Sequence, residues 1–234
     1  SSFKIFITRF KQTNSNIVNN VNYRVENIHC NITSLRASQP FFGGVYYGSG
    51  LFNYDSYLPS NSRANEIYEV GNAYVNFPIY EVISSNRTGS KIKIISGNSV
   101  CVGTPCIQIS PTSVGLSAIF NDTELIIEGD FTSESDSPCI LLSGSWDADC
   151  VIRLRGTFKT GAAPVLSLSN ISGATLSGKV ILEDAKLIND GSQPAIMANY
   201  PVDVVVENAR TNSTLTDANV TETVGTMVKN ASIK

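Results

Sequence analysis

The sequence predicts an all-β fold, a parallel β-helix of about seven to eight coils, and three observations carry that prediction. The first is an irregular internal repeat. β-Branched runs that close on a small or turn-prone residue recur at Ile92–Gly97, Leu125–Gly129, Ile152–Gly156, Val180–Asp184 and Val204–Asn208. Counted from Gly71, the closing residues advance by roughly 26 positions at a time. The second is a set of Pro-headed segments starting at Pro105, Pro138, Pro164 and Pro194, each about eight to ten residues after such a run. The third is the absence of any stretch with helical periodicity.

Taken in order, residues 1–20 read as an N-terminal extension or connecting strand, and residues 21–234 as the solenoid. Tyr23–Asn27 is the first copy of the repeat and Ile67–Gly71 the second. The long step between them reflects an aromatic, Gly-rich insertion at about 43–63. From Gly71 onward one coil follows another, fading at Met227–Asn230. Gly71 apart, two residues before the closing positions stand Val25, Ile95, Ile127, Leu154, Leu182, Val206 and Val228, all apolar and expected to share one interior column. One residue before stand Glu26, Ser96, Glu128, Arg155, Glu183, Glu207 and Lys229, expected to face outward. This period-2 alternation at matched positions is what stacked coils require, whereas a β-sandwich imposes no such column identity. A propeller blade needs a longer repeat, and the Leu and Asn signature of leucine-rich repeats is missing.

Composition limits the function classes. Hydrophobic residues make up 42% of the 234 and charged residues 16%, enough apolar content for a core. Ser (29), Asn (22) and Thr (17) fill more than a quarter of the chain, which suits a fold made of turns and short strands. No run approaches 18 apolar residues, so no membrane span is expected. A net charge of −3 without a Lys/Arg cluster argues against nucleic acid. His29 is the one histidine, so no His-based triad or His-rich metal site is expected without it, and no cofactor or metal is called for. The start, Ser1-Ser2-Phe3-Lys4, suggests a processed or excised chain. The five cysteines include Cys101 and Cys106 on either side of a short turn. They are read either as a pair formed in an oxidising compartment or, with the others, as buried free thiols. Seven N-x-S/T sequons occur, a number that this composition goes far to produce by chance.

On the coil pattern just described, the chain resembles the right-handed parallel β-helices of the pectate-lyase-like superfamily, in particular bacteriophage tailspike and tail-fibre domains. The resemblance covers roughly residues 20–234 and includes no catalytic motif. It implies a right-handed solenoid in a virion, assembled as a homo-oligomer (a trimer) with other virion proteins, and binding a host-surface glycan or protein receptor. A carbohydrate-active β-helix enzyme and a bacterial adhesin, extracellular or on the cell surface, are the alternatives.

Three groups of residues are candidate sites. Phe41, Phe42, Tyr46, Tyr47, Phe52, Tyr54 and Tyr57 fall within the aromatic segment 41–57 that leads into this insertion, and Trp146 lies in a later loop. Exposed rings beside Asn and Asp suit sugar stacking or a protein contact, and loop packing is the competing explanation. Glu128, Asp130, Asp147 and Asp149 are the carboxylates available for a two-acid glycosidase arrangement. Glu128, Arg155 and Glu183 instead suggest a charge ladder across stacked strands. Finally, strict alternation along the Pro-headed segments places Cys106, Cys139, Leu141, Val165, Ala195 and Met197 outward, an apolar stripe for an oligomer contact.

Overall fold

A computed structural model describes residues 7–8, 18–30, 52–55, 63–110, 118–169, 178–200, 202–216 and 220–227. In chain order the strands are β1 (Ile7–Thr8), β2 (Val18–Cys30), β3 (Phe52–Asp55), β4 (Arg63–Val75), β5 (Tyr80–Thr88) and β6 (Lys91–Val102). Then come β7 (Ile107–Ile109), β8 (Ala118–Asn121), β9 (Glu124–Glu134), β10 (Ile140–Ser143), β11 (Ser145–Trp146) and β12 (Val151–Thr160). The last are β13 (Leu166–Ser169), β14 (Lys179–Asn189), β15 (Ile196–Ala198), β16 (Val202–Thr211) and β17 (Val220–Met227). The long strands form one parallel sheet in the order β17-β16-β14-β12-β9-β6-β4-β2, and the short ones a second in the order β1-β3-β5-β7-β10-β13-β15. The chain is therefore an all-β parallel solenoid. From Arg63 to Ala198 it makes roughly five turns, each giving a strand to both sheets: β4–β5, β6–β7, β9–β10, β12–β13 and β14–β15.

Each long strand from β4 to β16 is two arms joined by a bend. In β6 burial alternates through Ile92, Ile94 and Ser96, passes two exposed residues, and resumes at Ser99 and Cys101. β12 behaves alike, with Ile152 and Leu154 before the bend and Phe158 and Thr160 after it. With the short strand, each turn has three walls around one core.

The interior columns follow the hydrogen-bond register. Ile127, Leu154, Leu182 and Val206 are paired in sequence across β9, β12, β14 and β16, each fully buried, as expected. Burying each such side chain contributes about 1.5–3 kcal/mol. Two members of the expected column are elsewhere. Ile127 faces Ile94, while Ile95 lies opposite Glu128, and Val25 pairs with Val70, which pairs with Ser96. For Ile95 the cause is an extra residue between Ser96 and Ser99 of β6 relative to β9, so Ser96 and not Gly97 aligns with Gly129. Val25 is one residue further out of that column because Asn27 pairs with Asn72 and not with Gly71. Ser96 is consequently buried, contrary to its expected outward placement, and its hydroxyl is 2.7 Å from that of Ser99. Val228 and Lys229 lie outside the described residues.

The corner after the second arm explains part of the Ser/Thr/Asn content. Val75, Cys101, Ser133, Thr160 and Asn189 form one buried column in register. Its polar members saturate corner carbonyls: Ser133 Oγ donates to Thr104 O at 2.9 Å, Thr160 Oγ1 to Ser137 O at 2.9 Å, and Asn189 Nδ2 to Gln193 O at 2.9 Å. A buried corner would otherwise hold unpaired carbonyl groups.

The same corner corrects the apolar stripe. Cys106, Cys139, Val165 and Ala195 are all fully buried, immediately before the buried Ile107, Ile140, Leu166 and Ile196. Alternation does not run through the turn, so both consecutive side chains point inward. The thiols of Cys106 and Cys139 reach the carbonyls of Thr132 and Phe131 on the second arm. Only Leu141 and Met197 of the six are partly exposed.

Candidate functional site

The candidate carboxylates lie on β9 and in the turn after β11. Glu128 ends the first arm of β9, where Gly129 (φ 114°) allows the bend, and Asp130 follows it, exposed. Glu128 Oε2 is 2.9 Å from Lys93 Nζ and 3.6 Å from Arg155 Nη1. Asp130 Oδ1 accepts from the Thr157 amide at 3.3 Å. Asp147 accepts from the amides of Asp122 (3.1 Å) and Asp149 (3.2 Å), tying its turn to the coil before it. Asp149 is exposed in that turn. Three of the four carboxylates thus hold coils or turns together.

The ladder expected from Glu128, Arg155 and Glu183 is larger than those three residues. Arg155 Nη2 is 3.0 Å from Glu183, and Arg153 joins Glu183 (3.1 Å) to Glu124 (3.2 Å). Lys91 is 3.0 Å from Glu124. The result is one chain of contacts, Lys91–Glu124–Arg153–Glu183–Arg155–Glu128–Lys93, across β6, β9, β12 and β14. Burial favours a neutral Glu124, but Lys91 and Arg153 outweigh it and hold the carboxyl below the ordinary range. Arg155, together with Arg153, lowers that of Glu183 against a smaller effect of burial. Ile126 and Ile181 occupy outward register positions between these charges yet are 4% and 7% exposed. In register Arg153 lies between them, with Lys93 on the other side of Ile126, so aliphatic stems are placed to cover both. Sequence reasoning missed Lys91, Lys93, Glu124 and Arg153. The available signal was same-face spacing, two residues for Lys91/Lys93 and Arg153/Arg155 and four for Glu124/Glu128.

Trp146 does not present a platform. Its ring is 2% exposed and stacks on Phe120 with centroids 4.1 Å apart and an interplanar angle of 8°. β5, β8 and β11 pair there, bringing Arg87, Phe120 and Trp146 into one register, all buried. Nearby, Arg87 Nη2 and Glu66 Oε1 form an interior ion pair at 2.9 Å with both side chains 1% exposed. Tyr68 donates its hydroxyl to the other Glu66 oxygen at 3.3 Å. This charged pair inside a β-branched core had no sequence signal, because Glu66 occupies a position that is apolar in the next coils (Ile92, Leu125).

The remaining aromatic candidates fall elsewhere. Phe41, Phe42, Tyr46, Tyr47 and Tyr57 lie outside the described residues, and Phe52 and Tyr54 are placed only as backbone positions of β3. Cys101, Cys106, Cys139 and Cys150 are free, buried thiols. Burial, reinforced by Cys101 and Cys139, raises the Cys106 thiol well above its ordinary range, and burial first among several contacts pushes Cys150 up to about 12. Among the described residues no three His, Cys, Asp or Glu are placed to hold a metal ion, and no helix is long and apolar enough to cross a membrane.

No family model, no curated protein and no solved structure matches the chain. The architecture is compatible with the pectate-lyase-like and tailspike β-helices without being specific to them.

Proposed function

We propose that the chain is a structural or receptor-binding β-helix of a phage virion, of the tail-fibre or tailspike kind, and not a polysaccharide-cleaving enzyme. In this reading the solenoid is right-handed, has seven to eight coils and works as a homo-oligomer, a trimer by resemblance. The supporting observation is where the polar chemistry goes. Glu128, Asp130 and Asp147 are engaged in coil-to-coil or turn contacts, leaving no pair of uncommitted carboxylates among the four candidates. Host-surface glycan or protein is contacted by the aromatic insertion (Phe41, Phe42, Tyr46, Tyr47, Phe52, Tyr54, Tyr57). Leu141 and Met197, partly exposed on the short-strand wall, belong to the subunit contact.

The test combines assembly with activity. Sedimentation of the native chain is expected to give a trimer, and Leu141→Glu with Met197→Glu is expected to yield folded monomers. Incubation with host-surface polysaccharide is expected to leave chain length unchanged. A monomeric native chain removes the oligomer reading. Depolymerisation that disappears on replacing Glu128, Asp130, Asp147 and Asp149 by Gln or Asn replaces the structural reading with the enzymatic one.

A further inference from the structure

We draw no further inference here: the strongest candidate, the cluster of buried thiols Cys101, Cys106 and Cys139 at the stacked corners between β6 and β7 and between β9 and β10, belongs to the core packing already described, with Cys106 and Cys139 donating to backbone carbonyls and no three metal-ligating groups placed to hold an ion among the described residues.

Discussion

Two glycines at the bend are determined by backbone contact more than by turn preference. A Cβ on Gly129 would lie 1.8 Å from the Ser96 carbonyl oxygen, and one on Gly156 would lie 2.3 Å from that of Gly129. Both also have positive φ, 114° and 105°. Gly103 is the natural control: its φ is 75°, but a Cβ there meets nothing within 4 Å. Gly156→Ala should therefore cost at least about 2 kcal/mol, combining conformational strain with a carbonyl that must move. Gly103→Ala should cost about 1 kcal/mol from φ alone. Urea midpoints measure both, and equal losses would contradict the stacked bend. The interior pair gives a second prediction. Glu66→Gln leaves the Arg87 guanidinium in the core without its anionic partner and should cost about 3–5 kcal/mol. Adding Arg87→Met should recover much of that loss. If the double variant is as unstable as the single one, the unpaired guanidinium is not the source of the loss.

At the scale of elements, the ion ladder determines how the first arms respond to acid. Glu124 and Glu183 are more acidic in the folded protein than unfolded, where a glutamate titrates near about 4.3. Their contribution is complete above that value and is lost as pH falls through their lower folded values. Replacing Glu183 by Gln should cost only about 1 kcal/mol at neutral pH, because the group is partly solvated, and should flatten the acid limb of the stability curve. Thermal midpoints from pH 7 to pH 3 test this. Parallel curves for variant and parent would show that the ladder carries no pH dependence. This ladder was partly legible in the sequence, since three of its members stand at matched repeat positions. The rest was obscured where local counting fails. An extra residue in β6 moved Ile95 out of the expected column, and the corners hid Cys106 and Val165 in the core although alternation placed them outside. Both are failures of register at turns, where backbone geometry and not side-chain pattern decides direction. The buried Glu66–Arg87 pair was illegible for a different reason: its two residues come from β4 and β5, and nothing in either strand alone announces the other.

For the molecule as a whole, parallel stacking makes stability a sum of coil interiors and coil–coil interfaces. β9, β12 and β14 each have a described long strand on both sides, and their first-arm core residues Ile127, Leu154 and Leu182 are fully buried. β17 is the terminal member of the long sheet among the described residues, paired through β16 alone. Opening β12 breaks two hydrogen-bonded interfaces, whereas releasing β17 breaks one. Amide hydrogen exchange should consequently show protection highest in β9, β12 and β14 and falling through β16 to β17. Leu154→Asp tests the same arithmetic from inside. A charge at a fully buried central position must desolvate or open the coil, so it should lower exchange protection in β9 and β14 as well as β12. The effect on β4, two coils beyond β9 in the sheet order, should be smaller. A uniform loss across all eight long strands would mean that the solenoid unfolds as a single cooperative unit. The nearest-neighbour account would then fail for this chain, even with every strand where the register puts it.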